Sequence, residues 1–290
     1  MSPASTALAD APLVAPGRSN GLLDIPRWRF LLSLLVRKEM RVRYRGSVLG
    51  LLWSYVKPAV QIFVFWLALG KFLRLEAAIH NYVIYMFSGV VMVNFFNEIF
   101  GNTTRSIVRN ADLVKKIYLP RELFPVASVW VAFIHFVPQL VVLLVGALFV
   151  GWRPGPLHLL AAAGSILITG LLALGLGLLF GAVNVLFRDA ENFVDLIVMM
   201  ATWLSPVLYT WQKVHDALPA WLWALYQVNP LTAAVELIHY AFWIPTRGVT
   251  ADMPPSWPWW SLLGLALSGL VVGLGQMVFR RLEGRFAQEL

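Results

Sequence analysis

The chain contains no cysteine. Disulfides, thiolate nucleophiles and cysteine-based metal sites are therefore excluded. Charge is scarce as well. Asp, Glu, Lys and Arg make up 13% of the 290 residues, against about 25% in soluble domains. No GxxxxGK(S/T) phosphate loop occurs, so ATP hydrolysis by that route is excluded, and no HExxH spacing occurs either. The five histidines are scattered, and none forms a local triad-like motif with Ser and Asp.

What is abundant is apolar: 59% of the residues are hydrophobic and 13% aromatic. That balance indicates an all-α integral membrane protein. The net charge of +8 raises the question of nucleic acid. The basic residues, however, lie in short loops between apolar runs, which is a topology signal and not a groove-binding patch. Residues 1–24, rich in Ala, Pro and Ser and without an apolar core, read as a disordered cytoplasmic tail and not a signal peptide.

A spanning helix needs about 20 mostly apolar residues. Six segments qualify: 52–73, 82–100, 122–150, 157–187, 193–211 and 257–279. With the N-terminus inside, sixteen Lys and Arg fall on the cytoplasmic pieces and five, Lys71, Arg74, Arg153, Lys213 and Arg247, on the outer ones. That bias favours six spans with both termini cytoplasmic. Between the last two spans, 218–228 and 231–244 are each too short to cross, and Asn229-Pro230 separates them. They are expected to be a pair of short re-entrant helices entering from the outer face, a geometry tolerated where backbone is buried in protein or lines a cavity. Trp221, Trp223, Trp257, Trp259 and Trp260 would then form an outer aromatic belt.

Ahead of the first span, 26–45 reads as a helix started by Pro26, with Arg37, Arg41 and Arg45 at i, i+4 and i+8 and Leu31, Leu35 and Val42 facing elsewhere. It fits an interfacial amphipathic helix as well as a plain basic anchor. The 101–121 loop is polar and basic, carrying Arg105, Arg109, Asn110, Lys115 and Lys116. It is either a short helix that docks in a groove of a cytoplasmic partner or simply a positive inner loop. Gly177-xxx-Gly181 and Gly269-xxx-Gly273 allow close helix approach. Of the aromatics near span ends, Tyr55, Phe65, Trp66, Phe95, Phe96, Trp203 and Tyr209 are candidates for lining a pore and stacking on sugar rings, with lipid-facing positions as the bland alternative. Asn94, Asn97, Glu98, Asp195 and Glu236 are the intramembrane polar groups to watch; for Glu98 and Asp195, near the interfaces, a hydrogen-bonded structural role is the stronger reading.

Four blocks, in order, resemble one family. They are Arg37-Lys-Glu-Met-Arg-Val-Arg-Tyr-Arg-Gly-Ser-Val-Leu-Gly-Leu-Leu-Trp53 with Pro58, Asn110 through Pro125, Arg188-Asp189 with Ser205-Pro-Val-Leu-Tyr209, and Asn229-Pro-Leu231. Together they are similar to ABC-2 type permeases that export polysaccharides such as O-antigen, teichoic acid, capsule and galactan. The resemblance implies one transmembrane domain over 25–290, a homodimer with a pore between subunits, and a separate ABC ATPase dimer that holds ATP and Mg. The chain itself would carry no cofactor and no catalytic residue. It also implies an interface helix at 26–45, whose Arg37, Arg41, Arg43, Tyr44 and Arg45 would meet a polyprenyl-diphosphate-linked glycan at the bacterial inner membrane. A coupling helix is implied within 103–116. An exporter of a small lipophilic drug or lipid is the alternative of the same class, and a membrane-embedded glycan-modifying enzyme the alternative of another.

Overall fold

The computed structural model describes residues 21–116, 119–246 and 253–290. The expectations for residues 1–20, for 117–118 within the second block and for Arg247 lie outside the described residues. Among the described residues every regular element is helical. In chain order the α-helices are α1 (Arg29–Arg43), α2 (Trp53–Phe65), α3 (Leu75–Ala78), α4 (Tyr82–Arg109), α5 (Ala111–Lys116), α6 (Leu123–Phe149), α7 (Pro156–Leu186), α8 (Ala190–Ala201), α9 (Trp211–Ala217), α10 (Ala220–Val228), α11 (Pro230–Ile238), α12 (Trp257–Leu282) and α13 (Phe286–Glu289). A 3-10 helix, Gly21–Trp28, precedes α1 and begins inside the stretch expected to be tail.

Among the described residues, five helices are long and apolar enough to cross a membrane: Gly50–Phe72, Tyr82–Arg109, Leu123–Phe149, Pro156–Leu186 and Trp257–Glu289. The protein is therefore a multi-pass membrane protein. α4 is its central post: 78% of its most apolar window is buried, against 6% for the Gly50–Phe72 span. The first half of α4, 82–93, is apolar nearly all round, and such a helix belongs in an interior. It packs on α6, α7, α8 and α11, while α12 packs along α7.

The expected fifth span, 193–211, is not one continuous helix. α8 stops at Ala201, and irregular turns occupy 202–209. Twelve residues rise about 18 Å, short of the roughly 30 Å hydrocarbon layer. Pro206 lacks an amide hydrogen and ends the ladder. The turn is held from α4: the Tyr85 hydroxyl lies 2.8 Å from the Pro206 carbonyl and 2.7 Å from that of Tyr209. Gly89 permits this approach, because a Cβ there would lie 3.1 Å from Val207 Cα.

The break at Asn229-Pro230 is as expected. The Asn229 side chain accepts from the Leu231 amide at 3.1 Å, and Pro230 occupies the first turn of α11, a standard helix start. α10 ends just before it and α11 just after. All of Leu231–Ile238 is buried.

The 101–121 segment departs from expectation. Gly101–Arg109 continues α4 and is not a loop, and only α5 is a separate short helix. Two of the hydroxyls that gave the segment its polar look bond back within the helix, while Thr103 Oγ1 is buried without a partner among the described residues. Thr104 Oγ1 donates to the Phe100 carbonyl at 2.9 Å and Ser106 Oγ to the Thr103 carbonyl at 2.7 Å. Asn94 and Glu98 therefore sit within the helix and not at its end.

Candidate functional site

α1 lies against the start of α6. Its Leu35 is buried in an apolar cluster with Ile107 of α4, Val114 of α5, Leu123 and Phe124 of α6, and Phe279 and Phe286 of the C-terminal helices. Burial of a leucine side chain contributes about 1.5–3 kcal/mol, so this cluster fixes α1 and α5 on one platform. The opposite face of α1 is basic.

The five expected α1 contacts divide. Arg37 and Arg41 are exposed on α1 and Arg45 just beyond it, and no ion pair forms on any of them among the described residues. Arg43 instead pairs with Glu98 of α4. Tyr44 turns inward: its hydroxyl lies 2.9 Å from His135 Nε2 and 3.1 Å from Ser54 Oγ. His135 Nδ1 is 3.3 Å from Glu98 Oε1, and Asn102 Nδ2 donates to the same oxygen at 2.9 Å. The tautomer with its proton on Nδ1 satisfies this set, donating to Glu98 and accepting from Tyr44. One carboxylate oxygen thus gathers α1, α4 and α6.

The five expected coupling residues divide as well. Arg105 pairs with Glu191 and Asp195 and so ties α4 to α8; this is also where Asp195 finds its partner. Arg109 donates to Asn102 Oδ1 at 3.2 Å. Asn110 is buried between helices. It accepts from Lys38 Nζ, and its amide nitrogen donates to Glu39 at 3.3 Å and to the Ser106 carbonyl at 2.8 Å. Lys115 and Lys116 are exposed on α5. The turn after α4 is thereby pinned to the basic helix by a buried amide, with two exposed lysines beyond it.

The seven aromatics are scattered. Phe95 packs on Phe136 with ring centres 4.4 Å apart, and Phe96 is buried against Phe100. Phe65 and Trp66 pack on the core from outside. Tyr55 and Trp203 are exposed, and Tyr209 bonds back to the Trp203 carbonyl. Glu236, buried on α11, has one carboxylate oxygen without a partner among the described residues.

Residues not singled out from sequence supply much of this site: Lys38, Glu39, His135, and the Lys57, Gln61 and Gln139 side chains of α2 and α6. Their signal was available, since Lys57/Gln61, Asn94/Glu98/Asn102 and His135/Gln139 each recur at i, i+4 in apolar helices. That spacing puts polar groups on one helix face.

The sequence also aligns with known proteins. It is 27% identical over 267 residues to an O-antigen export system permease protein RfbA of Klebsiella pneumoniae, covering 90% of this chain and 95% of that one. It is 28% identical over 223 residues to a Myxococcus xanthus protein of the same name, covering 77% and 85%. The family model of the ABC-2 type transporters matches residues 31–243, the stretch that holds the Arg43–Glu98, Asn110 and Arg105 contacts. The chain belongs to the ABC-2 type transporter family.

Proposed function

We propose that this chain is the permease subunit of an ATP-driven polysaccharide exporter of the bacterial inner membrane. ATP hydrolysis lies on a separate subunit that docks on α5. The observation that carries the reading is the Asn110 latch. Asn110 joins the end of α4 and the start of α5 to Lys38 and Glu39 of α1, and α1 joins Glu98 through Arg43. A push on α5 by a partner is thus passed to the basic helix and to the centre of the bundle along hydrogen bonds and not through a flexible loop. The relatives named for O-antigen export supply the cargo class. A polyprenyl-diphosphate-linked glycan suits the exposed Arg37, Arg41 and Arg45, since guanidinium groups bind phosphate in bidentate fashion.

In this reading α8 and the 202–209 turn together carry the chain across, giving six crossings. α10 and α11 are the re-entrant pair. The sparsely covered Gly50–Phe72 span forms the seam with a second copy. The chain lacks cysteine, so single cysteines report topology without background. A cysteine at His215 should react with an impermeant maleimide from outside, and one at Glu289 only from the cytoplasm. Labelling of both from the same side would sink the six-crossing topology.

Docking on α5 is tested with Lys115→Glu/Lys116→Glu. Like charges set against each other across an interface cost several kcal/mol, so partner-stimulated ATP turnover should fall at least about tenfold. The variant should keep its elution profile and melting behaviour, because both side chains are exposed. Undiminished stimulation would remove α5 as the docking element.

A further inference from the structure

The Arg43–Glu98 node also borders an open cavity of about 620 Å³ between the end of α1 and α2, α4 and α6. That volume is in the range of small-molecule sites. Its deep wall is a file of amides. Asn94 Nδ2 lies 3.3 Å from Gln61 Oε1 and 3.4 Å from Gln139 Oε1. Both bonds are long, and the Asn97 carbonyl oxygen beside them is buried with no partner among the described residues. Part-buried amides left short of partners within a membrane span are unfavourable. Groups that alternate donor and acceptor would satisfy them, as sugar hydroxyls do.

The charges facing the cavity are Arg43, Lys57, Glu98 and Arg105. Glu98 is engaged by Arg43, Asn102 and His135, and Arg105 is held by Glu191 and Asp195. Lys57 alone of these has no ionic or hydrogen-bond partner among the described residues. Lys57 is therefore the cavity-facing cation that no carboxylate of the described residues holds, and it lies one helical turn from Gln61 of the amide file. Trp53, exposed at the rim, offers flat apolar surface to the same space, with the buried Phe95 and Phe136 behind its wall.

We propose that this cavity binds a phosphorylated sugar, with the phosphate on Lys57 and the ring hydroxyls on Gln61, Asn94, Asn97 and Gln139. The chemistry is that of a polyol phosphate. Its source is the glycan diphosphate and not a phospholipid headgroup, an assignment that rests on the export reading above.

The test is binding to the full chain in phosphatidylcholine nanodiscs, with farnesyl diphosphate carrying one hexose as the probe. Lys57→Gln should weaken binding about tenfold or more, the worth of a hydrogen bond to a charged group, and Lys57→Arg should retain it. Gln61→Leu/Gln139→Leu should weaken the hexose probe but leave farnesyl diphosphate without sugar unchanged. Wild-type affinity in Lys57→Gln, or equal loss in Lys57→Arg with unaltered melting, overturns the site. Displacement of the probe by phosphatidylglycerol at equal affinity overturns the glycan source. The two readings fail separately. Lys57-dependent binding in a chain that moves no glycan when reconstituted with an ABC ATPase defeats export and leaves the site. Active export with Lys57-independent binding does the reverse.

Discussion

Gly275→Val is expected to abolish accumulation of the folded protein, while Gly273→Ala and Gly269→Ala are expected to leave it nearly unchanged. α7 and α12 meet backbone to backbone. A Cβ added at Gly275 would lie 2.2 Å from the Gly175 carbonyl oxygen, and one at Gly175 would lie 2.6 Å from the Val272 amide nitrogen. Neither obstacle is the end of a flexible side chain, so a whole helix must shift. Overpacking of this kind costs about 1–3 kcal/mol and occasionally more. The upper end applies here, because two long helices share one contact line and small residues are what let them approach. Among the described residues Gly269 and Gly273 meet nothing within 4 Å, so a methyl there enters open space. The measurement is the yield of monodisperse protein and its melting in detergent. Equal yields for Gly275→Val and Gly273→Ala would mean that the α7–α12 contact is looser than the structure has it.

That contrast marks where sequence reasoning reached and where it stopped. Composition and apolar run length were enough for a multi-pass helical protein, since the bilayer thickness fixes the length of a spanning helix. The break at Asn229-Pro230 was legible because a proline cannot continue a helix and an asparagine caps the next one. The partner of a glycine is not legible. Gly177-xxx-Gly181 does sit at a close contact, with a Cβ at Gly177 placed 2.5 Å from Thr103 Cγ2, but that contact is with α4. Gly269-xxx-Gly273 has the same spacing and meets nothing within 4 Å among the described residues, because periodicity names a face and not the neighbour on it. The end of α4 is hidden in the sequence for a related reason. Thr104 and Ser106 look polar in one dimension, yet hydroxyls that bond back to their own helix are at home in an interior. Arg43 and Arg105 were grouped with the other arginines by charge alone. Only folding shows that acids from distant parts of the chain have taken them, leaving Lys57 as the cation toward the cavity.

Glu98→Ala is expected to release α1 from the bundle and abolish export. One carboxylate oxygen accepts from Arg43 and Asn102 and meets His135 at 3.3 Å. Its loss strands three donors at once, the most buried on His135, whose side chain is 7% exposed. A buried polar group left without its partner costs about 1–3 kcal/mol. Arg43 is 41% exposed and recovers water, which holds the total near 2 kcal/mol instead of the larger penalty of a fully buried pair. The consequence for α1 is specific. Tyr44 reaches α2 and α6 through Ser54 and His135, and the His135 ring is oriented by Glu98, so both inward ties of α1's end slacken together. Leu35, 7% exposed beneath α1, is the reporter: a cysteine there should react slowly with maleimide in the parent and rapidly with Glu98→Ala. Glu98→Gln keeps an acceptor while removing the charge, and its labelling rate should fall between the two. Arg43→Ala combined with Glu98→Ala should cost less than the two single losses added, since the second change removes a group already stranded. Strict additivity, or unchanged labelling at position 35, would show that the Arg43–Glu98 contact carries none of α1's attachment, and the path from α5 to the bundle would have to run through Asn110 alone.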